Sequence, residues 1–344
     1  MPGRDRSNRP VKAVRIHRYG GPDVLVLEDV DKPAPRPREV LVRVCATAVN
    51  PVDWKIRSGK QRNIIRYDLP WILGLDVSGI VEAVGSEVTR FRVGDAVWSS
   101  PRHTRPGTYA EYTCIDEREA SLAPSRVTHD EAASLPLVAL TAWQCIVEKG
   151  RLRRGQTVLV LAGSGGVGTV AIQIAKHVGA RVITTASAKN AEFVKKLGAD
   201  QVIDYTKEHF DDVVGNVDLV VDTMGGDDFS RALRATRPFG RISNISIDVP
   251  GHVERFGAFF SLFTIALAFV WLHLWPLLRK GVRARHVIKR SDGEQLAQIA
   301  KLVDDGAIVP IIDSTFPLAV LAEAHRRSET LRARGKIVVH VSDP

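Results

Sequence analysis

The sequence predicts an α/β protein of two domains, one rich in short strands and one built on a doubly wound parallel sheet. Three observations carry this. At 344 residues the chain exceeds the usual span of one domain. From Val11 to Ile115 it breaks into short apolar runs separated by Gly, Pro and Asp roughly every ten residues, the spacing of a small barrel or sandwich. From Thr157 onward apolar strands alternate with helical patterns, the mark of a parallel sheet covered on both faces.

Taken in order, Met1–Pro10 is short and polar, with no apolar core of a secretory signal, and reads as a disordered extension. Val11–Ile16 and Val24–Leu27 are strands around the turn Gly20-Gly21-Pro22. Pro33, Pro35 and Pro37 make a stiff extended connector, since proline cannot sit inside a helix. Strands follow at Glu39–Ala48, Leu75–Val84, Ala96–Ser99 and Tyr109–Ile115, and helical periodicity takes over at Thr128–Leu135 and Ala139–Glu148. The parallel sheet takes Thr157–Ala162, Arg181–Ala186, Gln201–Asp204, Asp218–Asp222 and Gly240–Ile245. A helix at Glu294–Asp304, a strand at Ala307–Asp313, a helix at Leu318–Arg327 and a strand at Lys336–Val341 complete the chain.

Composition bounds the function. With 44% apolar and 25% charged residues the chain has ample core, and its net charge of +9 comes from scattered arginines interleaved with acids. That pattern disfavours a nucleic-acid partner and suits phosphorylated small molecules or an anionic surface. Cys45, Cys114 and Cys145 are odd in number and far apart, which argues against a disulfide framework and a four-cysteine zinc site and fits a reducing, cytoplasmic setting.

The chemistry concentrates at Thr157–Gly179. A buried strand runs into Gly163-x-Gly165-x-x-Gly168, and Val167, Val170, Ala171, Ile174, Ala175 and Val178 then recur at helical spacing. Strand, glycine turn and helix in that order are the context of a dinucleotide-binding (Rossmann) fingerprint. The first glycine turns the chain, the second lets backbone approach a pyrophosphate, and the third lets helix pack on strand. Ser164, Gly165 and Gly168 are therefore candidate cofactor contacts, with the pyrophosphate at the helix N-terminus. An NAD site places an acid about 20 residues beyond the glycines to hold the ribose 2′-hydroxyl. Here Thr184–Lys189 contains none, and Ser187 and Lys189 offer a hydroxyl and a cation suited to a 2′-phosphate. NADPH is the expected cofactor.

Val11–Gly21, Asn50–Gly59 (NPVDWKIRSG), Gly74–Gly85 (GLDVSGIVEAVG), Leu140–Ala142 and the glycine turn resemble, in combination, the medium-chain dehydrogenase/reductase superfamily. The likeness is to its zinc-free quinone and enone reductase branch and extends, through Phe316-Pro317 and Arg334-Gly335-Lys336, to the reticulon-interacting mitochondrial oxidoreductases. It covers nearly the whole chain except the N-terminal extension and Gly257–Leu278. The resemblance implies a GroES-like β-rich catalytic domain at 11–136 and 291–344 and a Rossmann NADPH-binding domain at 137–290. It also implies that Asn50 and the segment after it lie beside the nicotinamide, and that Lys55 stands where plant enone reductases carry a lysine. A fixed donor there lowers the barrier to hydride addition by meeting the charge that develops on the acceptor oxygen; a solvated lysine, or one holding only the cofactor ribose, is the competing reading. Asp53 reads as a hydrogen-bonded structural acid, since a buried carboxylate must be paired. By the same resemblance Thr141 is near the nicotinamide and phosphates, Gly166 and Val167 give backbone N–H groups to the pyrophosphate, Ser187, Lys189 and Tyr205 surround the adenine ribose phosphate, and Arg334 reaches the cofactor. The two zinc motifs of the superfamily read Asn50-Pro51-Val52-Asp53 and Gly74-Leu75-Asp76, without Cys or His, so no metal is expected.

The expected function is therefore an NADPH-dependent, zinc-independent oxidoreductase acting on a quinone or an α,β-unsaturated carbonyl. The alternatives are a non-catalytic NADPH-binding sensor or assembly factor on the same fold, or an alcohol dehydrogenase. Gly257–Leu278 is uncharged and reaches the roughly 20 residues of a membrane span. A crossing would separate parts of one compact molecule, so the expectation is a helix buried against a second subunit of a homodimer or, second, dipping into a membrane face. Relatives dimerise through edge strands after this point, and Ala284–Lys289 is the candidate.

Overall fold

The computed structural model describes residues 9–62, 66–103, 105–246, 270 and 273–344. The chain forms two compact units, one of residues up to 137 with 290–306 and 310–344, the other of 138–289 with 307–309.

The first unit contains β1 (Val11–Ile16), β2 (Leu25–Val30), β3 (Glu39–Val49), α1 (Pro51–Arg57), β4 (Trp71–Ile72), β5 (Val77–Val84), β6 (Ala96–Ser99), β7 (Tyr112–Asp116), β8 (Ala120–Leu122) and α2 (His129–Ala133). Among the described residues β1 is the centre of a three-stranded sheet, β2-β1-β4, and β3 runs through the middle of a larger sheet that includes β5, β6 and β8. Nearly every residue of β3 is buried, because it is covered on both faces while pairing with β5 and β7. A capping box starts α2: the Thr128 hydroxyl accepts the Glu131 N–H and the Glu131 carboxylate accepts the Thr128 N–H.

The second unit contains most of α3 (Pro136–Trp143), a π-helical turn at Gln144–Lys149, β9 (Thr157–Val160), α4 (Gly166–Val178), β10 (Arg181–Ala186), α5 (Ala191–Lys196), β11 (Gln201–Asp204), α6 (Phe210–Val213), β12 (Val217–Asp222), α7 (Asp227–Ala235), β13 (Thr236–Asn244) and β14 (Arg283–His286). All pairings in its sheet, ordered β11-β10-β9-β12-β13-β14, are parallel. The strand–helix alternation read from sequence is thus a doubly wound sheet reversing at β9 and β12, the place where such folds bind ligands. Gly179 ends α4 in the left-handed conformation, φ 84°.

The chain then returns to the first unit as α8 (Gly293–Asp304), β15 (Ile312–Pro317), α9 (Leu321–Glu329) and β16 (Lys336–His340). β16 pairs with β3, joining the C-terminal strand to the first unit's main sheet. The expected strand at Ala307–Asp313 instead starts at Ile312; Pro310, lacking an N–H, is a poor ladder member. The segment from Pro51 is helical, which the alternation of the neighbouring strands did not suggest.

The expected disordered extension falls mostly on residues 1–8, outside the described residues. So does most of the apolar stretch at 257–278, of which 270 and 273–278 are described. Residues 273–280 are helical, with Leu274, Trp275, Leu277 and Leu278 exposed. Among the described residues no helix is long and apolar enough to cross a membrane.

Candidate functional site

The nucleotide unit builds its candidate cofactor cradle from continuous chain. β9 ends at a turn in which Ala162 takes φ 53° and the Gly165 N–H bonds back to the Ala162 carbonyl at 3.0 Å. The turn is tied to β10: the Ala162 N–H donates to the Thr185 hydroxyl at 2.9 Å and the Gly163 N–H to the Thr185 carbonyl at 2.9 Å. A Cβ on Gly163 would stand 2.0 Å from the Thr184 hydroxyl, and one on Gly168 would stand 2.3 Å from the Ala162 carbonyl. Those two glycines are required by packing within the chain. Gly165 is not: its backbone is extended and a Cβ there would meet only the Ala162 carbonyl, at an ordinary 3.4 Å. No close contact among the described residues excludes a side chain at Gly165, the N-cap of α4, and the space left there opens at the N-terminus of that helix, where Gly166, Val167 and Gly168 begin. This cradle fits a dinucleotide pyrophosphate. Ser164 lies on the turn, its hydroxyl accepting the Asn190 amide at 3.2 Å.

Ser187 follows β10 directly, with Lys189 exposed just beyond it and Tyr205 exposed after β11. The sheet brings an acid into the same corner. Asp204 is in register with Ala186, and its carboxyl is held below the usual range by the Thr206 hydroxyl and N–H, with help from the Ala188 N–H. Sequence distance from the glycines hid it; the parallel register of β10 and β11 was the available signal. A second group was also missed. The last residues of β12, β13 and β14 are Asp222, Asn244 and His286, mutually in register. Asp222 accepts the Asn244 amide at 2.7 Å, and Asn244 Oδ1 faces His286 Nδ1 at 3.1 Å. Burial and the neighbouring His273 hold His286 down to about 4. Since Asn244 spends its N–H on Asp222, its oxygen must accept, which fixes His286 as the neutral tautomer with hydrogen on Nδ1. Thr141, on α3, is buried.

The other unit centres on α1. Asn50 caps this helix and is itself buried. Its amide nitrogen donates to Asp76 Oδ2 at 2.8 Å and its amide oxygen accepts from Lys336 Nζ at 2.6 Å. Asp53 accepts the Asn50 backbone N–H at 2.8 Å and the Tyr109 hydroxyl at 3.0 Å. Burial nevertheless pushes its carboxyl up to about 7. Asp76, also buried, takes the Leu137 N–H at 2.6 Å on its other oxygen. Burial raises its pKa and Lys336 is the strongest group pulling it back; the groups that bond to its two oxygens, the Asn50 amide, Lys336 and the Leu137 N–H, are all donors. Further along α1, Trp54 donates to the Ser328 hydroxyl at 3.2 Å. Arg57, 2% exposed, donates to the Gly20 carbonyl, to His325 Nδ1 at 3.1 Å and to Glu329. Lys55 projects from this clamped helix, half-buried, its ammonium 5.8 Å from the Trp54 ring centre. Arg334 is exposed on the turn before β16, where its backbone N–H donates to Asp313. A small, partly open pocket beside Asp53, walled by the stacked rings of Tyr67 and Trp71, has room for little more than a water molecule.

The first unit matches the alcohol dehydrogenase GroES-like domain over residues 36–125, and the zinc-binding dehydrogenase family matches over 197–339. The mouse mitochondrial NAD(P)H oxidoreductase RTN4IP1 is 36% identical over 329 residues, covering 89% of this chain and 82% of that protein. The chain belongs to the medium-chain dehydrogenase/reductase superfamily. Its activity class is NAD(P)H oxidoreductase. A chloroplastic NADPH-dependent alkenal/one oxidoreductase of Arabidopsis thaliana is 33% identical over 343 residues, covering 96% of this chain and 80% of its own. The quinone oxidoreductase of Coxiella burnetii superposes with a TM-score of 0.83 at 33% identity, covering 97% of this chain and all of the other.

The family description names zinc, and the α1 centre does not fit it. Its donor set is two carboxylates and an amide with a lysine ammonium among them, where a catalytic zinc needs three ligand side chains, normally with imidazole or thiolate among them. Among the described residues no three His, Cys, Asp or Glu gather to hold an ion.

Proposed function

We propose that this protein is an NADPH-dependent, zinc-independent reductase of quinones or α,β-unsaturated carbonyls. The observation that carries the reading is the cradle at Gly165, where no close contact fills the space in front of the α4 N-terminus. Bound there, the cofactor supplies the hydride, and the chain binds, orients and excludes water. The N–H groups of Gly166 and Val167 take the pyrophosphate, with Ser164 and Gly168 shaping the turn and Thr141 beside the phosphates and nicotinamide. Ser187, Lys189 and Tyr205 take the 2′-phosphate, while one oxygen of Asp204 is held by the Thr206 N–H and hydroxyl. Arg334 adds a cation toward the cofactor. On the acceptor side Asn50 sets the first turn of α1, and Lys55 donates to the acceptor oxygen as charge develops on it. The edge strand β14 pairs with a second copy to form a homodimer.

The test is to mix the protein with NADPH and a panel of quinones, enones and simple alcohols or ketones, following absorbance of the reduced cofactor. Acceptor-dependent oxidation with quinones or enones is expected. Tight NADPH binding without turnover of any acceptor would favour a sensor or assembly factor, and turnover of saturated ketones alone would favour an alcohol dehydrogenase.

A further inference from the structure

Lys336 is 5% exposed and sits in the polar centre beneath α1, its Nζ 3.2 Å from Asp76 Oδ2. Its ammonium has three donors and three acceptors around it: the Val49 carbonyl at 3.1 Å, Asn50 Oδ1 at 2.6 Å and Asp76 Oδ2 at 3.2 Å. We propose that Lys336 is a positioning residue for the reductase reaction, the built-in cation of the catalytic half, which holds the start of α1 and through it Lys55. The proposal rests on the reductase reading given above for Lys55.

Three features support it. Val49 and Asn50 are the two residues that lead into α1, and Asn50 is its cap, so two of the three ammonium bonds fall on the helix entry. Asn50 lies between a group that only donates, Lys336, and a group whose charged form only accepts, Asp76; its amide therefore has one orientation, and loss of the lysine would free it to turn over. The position of Lys336 is itself imposed by its neighbours. Gly335 takes φ +78°, and a Cβ there would lie 2.3 Å from the Ile311 carbonyl. The chain thus enters β16 at one place, and register of Ile337 with Val49 sets Lys336 beside the entry to α1.

A buried ion pair that served stability alone would be replaceable by a neutral pair of similar shape. The experiment uses that difference, with Lys336→Met and Asp76→Asn/Lys336→Met in the full chain. Melting temperature, hydrogen exchange of the peptide covering residues 50–58, the NADPH dissociation constant and the single-turnover rate with the best acceptor are measured for each. Lys336→Met strands the Asp76 charge and should melt far below the wild type. The double variant should regain most of that melting temperature, yet exchange at 50–58 about tenfold faster. It should also transfer hydride about tenfold more slowly with NADPH affinity within about twofold, the pattern of an interaction made in the transition state. A double variant with wild-type exchange and rate would overturn the proposal, reducing Lys336 to a charge neutraliser. A double variant that regains no stability would also overturn it, since Asp76 and Lys336 are then not coupled. If the wild type turns over no acceptor, the reductase reading fails by itself, and exchange at 50–58 still decides whether Lys336 holds α1.

Discussion

The cofactor cradle is one continuous stretch in which strand, turn and helix follow one another from Thr157 to Val178. α1, in contrast, is held by partners scattered through the chain, Gly20, Asp76 and Tyr109 and, 268 to 286 positions away, His325, Ser328 and Lys336 from the C-terminal part. The first arrangement is written in local spacing, and its glycines report their own constraints. The second exists only once β16 has paired with β3. A local motif can therefore announce what a protein binds, while the groups that orient the reacting partner are assembled by topology.

The sharpest way to break the comparison is within the glycine turn itself. Gly168→Val drives a side chain into the Ala162 carbonyl and should cost about 3 kcal/mol of stability, the upper end for overpacking, measured by urea unfolding. Gly165→Ala meets only ordinary contact, so its unfolding midpoint should stay within about 0.5 kcal/mol of wild type while NADPH binding weakens. Equal loss of stability in both variants would mean that Gly165, too, is there for packing.

Lys189→Ala should weaken NADPH by about 1–3 kcal/mol, the range of a charge-assisted hydrogen bond, and leave NADH unchanged. Parallel losses for both cofactors in calorimetry would remove Lys189 from the 2′-phosphate site.

On the α1 side, Asp53 makes a pH prediction. Its carboxyl is held at about 7 against an ordinary 3.8, so between those values the folded chain binds more protons than the unfolded one. The stability it contributes falls as pH rises through that window and levels off above about 7. His325 runs the other way. Burial and the neighbouring Arg57 hold it at about 3, so its share is lost as pH falls below its ordinary 6.5. Asp53→Asn removes the first effect and keeps the second. Relative to wild type the variant should gain on the order of 2–3 kcal/mol between pH 5 and pH 8. A difference that stays constant over that range would show that Asp53 does not titrate there. The smallest expected effect is none at all: dialysis against a strong chelator should leave turnover and melting temperature unchanged.

Much of the fold was legible because strand and helix periods are local. β1, β10 and β11 occupy the residues their apolar patterns mark, and the parallel sheet follows from their alternation with helices. The Pro51–Arg57 helix was not, since Val52, Trp54 and Ile56 repeat at a strand's spacing of two, and the polar partners that help hold it, at Asn50, Asp53, Trp54 and Arg57, are distant in sequence. The corner after β10 proposed for the 2′-phosphate was half legible. Ser187 and Lys189 lie where the motif's spacing points, whereas Asp204 reaches that corner through strand register alone. Lys336 reads in sequence as part of a turn motif; only its pairing across the sheet reveals a buried cation.

The most direct test of the central claim is a single-turnover comparison of NADPH and NADH with one quinone and one enone in excess, monitored at the reduced-cofactor absorbance after chelator treatment. The expected result is acceptor-dependent oxidation of NADPH with at least one of them, and clearly slower oxidation of NADH at equal concentration. Equal rates for the two cofactors, or oxidation of neither while NADPH remains bound, would contradict the account.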